Sequence, residues 1–391
     1  MTKSIVIKIG TSSLTQPETG NLHLATIAQL VETIHQLRQS AYRVVLVSSG
    51  AVGVGCMRLG LATRPSNLAE KQAIAAVGQG RLMGIYDNLF GLLNQPVAQI
   101  LVTRQNFSHR QQYKNIKATL TTLLDMGIVP IVNENDTVSV DELKFGDNDT
   151  LSALVASLLE ADYLFLLTDV DYLYSADPRT NPHAQPIHQL AFPELVRLEA
   201  EMHKQQLEPK GGSQWGTGGM LTKLTSAKIA AIAGVKTVIL RGKYPDRVLA
   251  VLKGDPQGTV FLPAPTPVTA RKRWIAYALN PAGTIYLDTG AVQAITHRGK
   301  SLLSAGITHI SGKFEAGETV SLCDATGTEI ARGISNYSHE EVEKIKGCQS
   351  QQIVDRLGYA GAETVIHRDD LVLLTDPNSG LPHLAVEPTE C

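Results

Sequence analysis

The chain has 391 residues, of which 43% are apolar, and its formal net charge is −2. This length exceeds one ordinary domain and supplies enough apolar residues for real cores, so two domains are expected. The near-neutral charge argues against an affinity of the whole protein for nucleic acid or anionic membranes.

The N-terminal sequence and the cysteines predict a cytoplasmic protein. Residues 1–10, MTKSIVIKIG, lead straight into a strand pattern and lack the apolar core of a signal peptide. The longest run without charged residues, 88–103, contains Pro96 and several amides, which argues against a membrane span. The four cysteines are scattered without paired spacing, as expected for reduced thiols rather than disulfides or a zinc site.

Short apolar strands alternate with amphipathic helices over roughly the first 250 residues. The predicted strands are rich in valine and isoleucine and cover residues 4–9, 43–48, 97–102, 128–132, 163–168 and 236–240. Between the first two, apolar residues recur every three or four positions from Leu24 to Leu37, which predicts a helix. This pattern is typical of a mainly parallel sheet covered by helices on both faces, so residues 1–253 are predicted to form an α/β domain.

The alternation stops at residue 254. Residues 254–273 contain four prolines and are predicted to be an extended linker. Short strand-like segments punctuated by glycine follow, and they predict a small β-rich domain at residues 274–370. The proline-bearing end, residues 371–391, is predicted to be an irregular tail.

Two lysine-bearing segments lie where open parallel sheets bind ligands, at the carboxyl ends of strands. In KIGTSSL, residues 8–14, free amides and hydroxyls follow Lys8 at once. This favours phosphate binding over a lysine that merely protects a sheet edge. In GTGGMLTK, residues 216–223, glycines precede a helix and Lys223 adds a positive charge, although an ordinary flexible loop is an equal alternative. VSSGAVGVG, residues 47–55, lacks the dinucleotide-binding spacing and is weak evidence alone.

The acidic segment VNENDTVSVDELKFGDNDT, residues 132–150, separates a predicted strand from a predicted helix. Acids in a first helical turn can simply cap amides and complement the helix dipole. The spacing is not that of a calcium-binding loop. A third interpretation is a site where Asp136 and Asn148 hold a substrate ammonium group or a magnesium nucleotide.

Lysines, glycine-rich turns and carboxylates at one sheet edge are the groups that phosphoryl transfer needs, since it depends on positioning and charge neutralisation. The histidines fit no catalytic pattern. A carboxylate substrate, with a pKa of about 4, is already ionised and needs no general base. The sequence therefore predicts a kinase that acts on an acid.

Several segments occur in the order found in the glutamate 5-kinase family, within the amino-acid kinase superfamily. They are KIGTSSL, VSSGAVGVG, AAVGQGRLM, VNENDTVS, FGDNDTLSA, LLTDVDYLYSADPRTNP and GTGGMLTKLTSA. The C-terminal region resembles a PUA domain, and the resemblance covers residues 1–370. It implies an amino-acid kinase fold and transfer of the ATP γ-phosphoryl group to the side-chain carboxylate of L-glutamate, the first step of proline biosynthesis.

The family pattern also implies roles for individual residues. Lys8 and Lys223 would stabilise charge on the transferring phosphoryl group, and Asp149 would hold both lysines. Three residues would bind glutamate, namely Ser49, Asp136 and Asn148. The ATP-binding residues would be Lys8, Thr168, Asp169, Thr217, Gly218, Gly219, Met220, Leu221, Thr222 and Lys223.

The resemblance further implies the cofactor and partners. Mg²⁺ would arrive with ATP and be held mainly by phosphates and water, with no dedicated protein ligand. Proline would act as a feedback inhibitor, and the kinase domain would form homo-oligomers. A glutamyl phosphate reductase would receive the labile product.

Two alternatives stay open. Other amino-acid kinases share the fold and the lysine pair, but an N-acetylated substrate lacks the ammonium group that Asp136 would bind, and the PUA-like region argues against them. An RNA-binding or RNA-modifying protein is the alternative from another class, because PUA domains usually bind RNA and ARKRW, residues 270–274, places basic residues beside Trp274. Such runs are more often solvated segments, so RNA is not an expected partner.

Overall fold

The structure is a computed structural model that describes residues 2–15, 22–61, 63, 65, 67–139, 148–176, 178, 181–207, 219–265, 272, 275 and 281–374. The chain forms two compact units, the first made of Met1–Phe107 and Tyr113–Ala264 and the second of Ser108–Gln112 and Pro265–Cys391. Across these described ranges, none of the helices combines the length and hydrophobicity that crossing a bilayer requires.

The first unit contains a sheet of eight strands. The strands of this unit are β1 (Ser4–Ile9), β2 (Arg43–Val47), β3 (Val97–Val102), β4 (Val129–Glu134), β5 (Tyr163–Thr168), β6 (Leu173–Tyr174), β7 (Pro186–Ile187), β8 (Gln189–Leu190), β9 (Lys236–Arg241) and β10 (Thr259–Phe261). The sheet order is β3-β4-β2-β1-β5-β9-β10-β8. Neighbours are parallel except β9 and β10, which are antiparallel, while β6 and β7 pair separately.

All six strands predicted from the sequence are therefore confirmed, and they form the contiguous parallel part of the sheet. The central strand β1 shows why the pattern is so apolar. Ile5, Ile7 and Ile9 are fully buried on one face, and Val6 is buried on the other. A strand covered on both faces retains no solvent side, so the charged Lys8 within it must have a buried partner.

Helices cover this sheet. Between residues 11 and 252 they are α1 (Thr11–Leu14), α2 (Leu24–Gln39), α3 (Ala51–Leu59), α4 (Leu68–Gly91), α5 (Arg104–Ser108), α6 (Arg110–Asp125), α7 (Asn148–Leu159), α8 (Phe192–Leu207), α9 (Gly219–Ile232) and α10 (Arg247–Leu252). The predicted apolar stripe of α2 is confirmed, since Ile27, Leu30, Ile34 and Leu37 are all buried.

Helices α3 and α4 pack with their backbones in close approach. A Cβ atom added at Gly78 would lie 1.8 Å from the carbonyl oxygen of Ala51, and one added at Gly55 would lie 2.1 Å from that of Ile74. Gly50, with φ of +100°, makes the left-handed turn that begins α3. Gly50 and Gly55 of VSSGAVGVG therefore serve the turn after β2 and the contact with α4.

The second unit is β-rich, as predicted. Its strands are β11 (Gly283–Leu287), β12 (Ile307–Gly312), β13 (Thr319–Cys323), β14 (Glu329–Ile334) and β15 (Leu371–Leu373), in the sheet order β12-β11-β13-β14-β15. Its helices include α11 (Thr289–Arg298), α12 (His339–Ile345) and α13 (Ile353–Leu357). A separate core forms around Ile285, Leu322 and Tyr337, so the unit has its own hydrophobic interior.

Two short strands lie in segments that the sequence assigned to a linker and a tail. Thr259–Phe261 form β10, in which Thr259 and Phe261 are fully buried, and Leu371–Leu373 form β15 beside β14. Three-residue strands show too little alternation to be read from sequence, and nearby prolines and glycines dominated the pattern. Residues 266–271, 273 and 375–391 lie outside the described residues.

Candidate active site

Two lysines and one aspartate from three different elements meet inside the first unit. Lys8 Nζ lies 2.6 Å from Asp149 Oδ1, and Lys223 Nζ lies 3.2 Å from Asp149 Oδ2. The side chains of Lys8, Asp149 and Lys223 are all buried, with residue exposures of 2%, 0% and 6%. The structure thus brings together the three residues that the sequence analysis proposed as catalytic.

Local structure explains how each side chain arrives at this position. Lys8 is the penultimate residue of β1, Asp149 is the second residue of α7, and Lys223 lies one turn inside α9. Lys223 Nζ also donates to the carbonyl oxygen of Gly219 at 3.1 Å, which ties the lysine to the first turn of its own helix. Carboxyl ends of parallel strands and amino ends of helices meet at the ligand-binding edge of such a sheet.

The electrostatics of this cluster favour an anion. Two ammonium groups contact one carboxylate, so the trio carries a net charge of +1 in a buried position, where charge interactions are screened less than in water. Gly10 follows β1 directly, and a Cβ atom there would lie 3.4 Å from Lys8 Nζ. A Cβ atom at this ordinary van der Waals distance would occupy space beside the ammonium group, which glycine does not fill.

Asn148, the neighbour of Asp149, holds a second cluster together. Its Nδ2 atom donates to the carbonyl oxygen of Ser48, to Ser49 Oγ at 3.0 Å and to Asn133 Oδ1 at 2.7 Å. Ser48 and Ser49 are the first two residues after β2, so Asn148 joins the start of α7 to the ends of β2 and β4. Ser49 and Asn148, both proposed to bind glutamate, are in direct contact.

Sequence reasoning missed Asn133 and Gln79. Asn133 is buried in β4, and its Nδ2 atom donates to Gln79 Oε1 of α4 at 2.7 Å. Ser48 was missed too, and its hydroxyl lies 2.9 Å from the hydroxyl of the buried Tyr86, also on α4. A polar residue near the end of an apolar strand, as Asn133 is in VPIVNE, is the one signal that points to this network.

Acidic residues also gather in the turn after β4. Glu134 accepts a hydrogen bond from Ser139 Oγ at 3.2 Å. Its pKa is raised to about 7, mainly by burial and also by Asp136, while Ser139 and Arg104 lower it. Burial also raises the pKa of Asp136. Within the described residues, no hydrogen bond joins Asp136 to Asn148: Asn148 donates to Asn133, whereas Asp136 lies near enough to Glu134 for its charge to raise the pKa of that residue.

The residues proposed to bind ATP lie at the ends of β5 and at the start of α9. Thr168 ends β5 and donates to Asp169 Oδ1 at 2.9 Å, and Asp169 is exposed. Thr222 Oγ1 donates to the Gly219 carbonyl at 2.9 Å and lies 3.4 Å from Asp149 Oδ2, so the first turn of α9 contacts the lysine–aspartate cluster. Met220 is half-buried and Leu221 buried, which makes Leu221 a core residue. Thr217 and Gly218 lie outside the described residues.

A divalent metal is the remaining group to place. Both oxygens of Asp149 face lysine nitrogens, and a carboxylate already neutralised by two cations is a poor metal ligand. Asp169, which directly follows β5, is an exposed carboxylate that accepts a hydrogen bond from Thr168. The described residues contain no group of three or more acidic, histidine or cysteine side chains suited to a metal.

Comparison with known proteins decides the family. The amino acid kinase family model matches residues 3–241, and the PUA domain model matches residues 283–357. A glutamate 5-kinase from a Nostoc sp. is 60% identical over 374 residues, which cover 95% of this chain and 97% of that protein. A glutamate 5-kinase from Synechococcus elongatus is 60% identical over 376 residues, covering 95% and 100%. The chain belongs to the glutamate 5-kinase family.

The family resemblance read from the motifs is thereby confirmed, as is the PUA domain. The alternative of an RNA-binding or RNA-modifying protein is not favoured. The two glutamate 5-kinases each match 95% of this chain, including both units. Of the basic segment ARKRW, Lys272 is described, and Trp274 lies outside the described residues.

Proposed function

We propose that the protein transfers the γ-phosphoryl group of ATP to the side-chain carboxylate of L-glutamate, giving L-glutamyl 5-phosphate, the first intermediate of proline biosynthesis. The observation that carries this proposal is the buried contact of Lys8 and Lys223 with Asp149. It occurs in a chain that belongs to the glutamate 5-kinase family.

The reaction is a displacement at phosphorus. An oxygen of the glutamate side-chain carboxylate forms a bond to the γ-phosphorus, and the bond from that phosphorus to the bridging oxygen of ADP breaks, so that ADP leaves with the electron pair. The carboxylate is ionised at neutral pH, so no base has to remove a proton from it. This agrees with a site built from lysines, an aspartate and amides.

Lys8 and Lys223 neutralise the negative charge on the transferring phosphoryl group. Both ammonium groups are held in place before the substrates arrive, so little reorganisation is needed as charge develops. Asp149 is the positioning residue for both, since each of its oxygens faces one lysine. Without that carboxylate, two buried ammonium groups would repel each other and move apart.

Glutamate binds through Ser49, Asp136 and Asn148. The carboxylate of Asp136 suits the α-ammonium group, because an acid beside the substrate carboxylates would repel them. Burial raises the pKa of Asp136, and an ammonium group bound beside it would favour the ionised form again. Ser49 and Asn148 touch each other at the start of α7, next to Asp149.

ATP binds along the edge between β5 and α9, at Thr168, Asp169 and residues 217–223, together with Lys8. The free amides at the start of α9 suit phosphate oxygens. Mg²⁺ would accompany ATP, and when bound it would neutralise phosphate charge. Lys223 adds a charge from the same helix turn.

The partners follow from the same chemistry. Proline, like glutamate, carries an ammonium group and a carboxylate on its α-carbon. It would therefore compete with glutamate at Asp136 and act as a feedback inhibitor. We place the protein in the cytoplasm as a homo-oligomer formed through the first unit. Because acyl phosphates hydrolyse readily, a glutamyl phosphate reductase that takes the product directly is the expected next enzyme.

Trapping with hydroxylamine tests this function, since it converts acyl phosphates to hydroxamates. The purified protein is incubated with ATP, Mg²⁺ and hydroxylamine, and with L-glutamate, L-aspartate or N-acetylglutamate. Hydroxamate from L-glutamate alone supports both the reaction and the ammonium requirement. Hydroxamate from N-acetylglutamate would overturn the role of Asp136, and none from any acid would overturn the proposed function.

A further inference from the structure

A row of side-chain amides connects α4 to the proposed glutamate site. Gln79 Oε1 accepts from Asn133 Nδ2 at 2.7 Å, and Asn133 Oδ1 accepts from Asn148 Nδ2 at 2.7 Å. These residues come from α4, β4 and α7, which are far apart in the chain. Each side-chain amide has a nitrogen that donates hydrogen bonds and an oxygen that accepts them. The orientation of the three amides therefore decides whether a donor or an acceptor atom is available to a ligand.

The backbone fixes the direction of the Asn148 amide. Its Nδ2 atom faces the carbonyl oxygen of Ser48, which can only accept a hydrogen bond. The same nitrogen faces Ser49 Oγ and Asn133 Oδ1. An amide nitrogen has two hydrogens and meets three acceptors here, so its donors are used within the protein. Oδ1 is the polar atom through which Asn148 can bind a ligand, and it can only accept.

The backbone also fixes Asn133. Its Oδ1 atom accepts from the amide nitrogen of Glu134 at 2.9 Å, and that nitrogen can only donate. Asn133 Nδ2 must therefore point the other way, where Gln79 Oε1 receives it. Without that acceptor, a buried amide nitrogen would lose its partner, which makes the reversed orientation or a displaced side chain competitive.

Helix α4 is a rigid support for this row. Gln79 follows Gly78, whose Cα is so close to α3 that an added Cβ would lie 2.5 Å from the Gly55 nitrogen. Two helical turns further on, Tyr86 reaches Ser48 from the same face of α4. One helix face thus supports both groups that orient Asn148, namely Asn133 and the backbone at Ser48.

We propose that Gln79 is a positioning residue for substrate recognition. Gln79 orients the side chain of Asn133, and Asn133 in turn orients the amide of Asn148 so that Asn148 Oδ1 is the atom available to the substrate. Asn148 then selects an ammonium group and cannot donate to a substrate carboxylate. This inference rests on the proposed function, since it takes L-glutamate as the ligand, and it adds Gln79 and Asn133 to the residues that determine specificity.

The test compares Gln79→Met with Gln79→Glu. Methionine keeps the length of the side chain but removes the acceptor, whereas glutamate keeps an acceptor oxygen at the same place. KM for L-glutamate and for ATP is measured with the hydroxamate assay, together with the inhibition constant of glutarate, which has both carboxylates but no ammonium group. Wild-type protein that forms no hydroxamate would show that the proposed function fails, independently of Gln79.

The expected result is a KM for L-glutamate about tenfold higher in Gln79→Met, as for a weakened hydrogen bond to a charged group. KM for ATP and the inhibition constant of glutarate should stay within about twofold, and Gln79→Glu should restore KM for L-glutamate to near the wild-type value. An unchanged KM for L-glutamate in Gln79→Met would overturn the inference. An equal weakening of L-glutamate and glutarate would do so too, because it would show a general structural role.

Discussion

Lys8 Nζ and Asp149 Oδ1 lie 2.6 Å apart, and both side chains are buried. The contact joins the central strand β1 to the first turn of α7, and the second oxygen of Asp149 brings in Lys223 from α9. Burying a carboxylate and two lysines costs desolvation energy, and only well-aligned attraction between the opposite charges can offset that cost. That cost is reasonable where the lysines must be in place before a phosphoryl group arrives.

Replacement of Asp149 by asparagine should impair both activity and folding. The variant Asp149→Asn removes the negative charge that both ammonium groups contact, and breaking a buried pair in this way costs roughly 3–5 kcal/mol of unfolding free energy. Turnover should fall by at least about 100-fold because the lysines lose their common support. Chemical unfolding and the hydroxamate assay measure the two effects.

Asp125→Asn is the matched control for that prediction. Asp125 pairs with Arg43 at 2.8 Å, but its side chain is 64% exposed. An exposed pair contributes less than about 1 kcal/mol, so stability and turnover should remain close to wild type. If Asp149→Asn were as mild as Asp125→Asn, the buried cluster would not have the importance assigned to it.

The close approach of α3 and α4 predicts opposite effects at two glycines of one helix. Gly78→Ala would place a Cβ atom 1.8 Å from the carbonyl oxygen of Ala51. Because backbone must move to relieve this, we expect a loss of roughly 2–4 kcal/mol in unfolding free energy. At Gly80 an added Cβ meets nothing within 4 Å, so Gly80→Ala should be neutral or stabilising by up to about 1 kcal/mol. Equal effects of the two substitutions in urea unfolding would contradict this packing.

Glu134 should make stability depend on pH. Burial is the main cause that raises its pKa from 4.5 to about 7. A raised pKa means that the folded state holds the proton more tightly, so this contribution is complete below pH 4.5 and is lost as pH rises through about 7. Arg104 and Ser139 oppose the shift, and Asp136 adds to it.

Glu134→Gln removes that titration. The stability of the variant relative to wild type should therefore rise by roughly 3 kcal/mol between pH 4.5 and pH 8. Unfolding measured at several pH values provides the comparison. A stability difference that stays constant across this range would show that Glu134 titrates normally.

Asp136→Asn should affect one substrate group selectively. Without the carboxylate, the α-ammonium group loses its proposed counter-charge, so KM for L-glutamate should rise by about tenfold or more. Glutarate lacks the ammonium group, so its inhibition constant should be unchanged or lower, because a repulsive charge is removed. An equal change for both molecules would place Asp136 away from the ammonium group.

The sequence predicted the parts of the fold that repeat a strong pattern. The six strands and α2 were found because strands buried on both faces are continuously apolar, and α2 has one apolar stripe. Strands β10 and β15 were missed because three residues carry no periodicity. Their place in the sheets depends on pairing with β9 and β14, which only the folded chain shows.

The candidate site was predictable to a similar extent. Lys8, Asp149 and Lys223 came from motifs, and their contact is now seen. Gln79 and Asn133 lie within the motifs AAVGQGRLM and VNENDTVS but were assigned no role, because a glutamine on a helix and an asparagine in a strand have no special local pattern. Their importance lies in contacts between residues 54 positions apart, which hydrophobic periodicity does not encode.

The measurement that tests the central claim most directly is the single-turnover rate of γ-phosphoryl transfer, followed by rapid quench at saturating ATP, Mg²⁺ and L-glutamate. The account predicts a rate about 100- to 1,000-fold lower in Lys223→Ala than in wild type, since a preorganised charge at the transferring group is lost. A rate within about threefold of wild type would contradict the account, because Lys223 would then not act on the phosphoryl group.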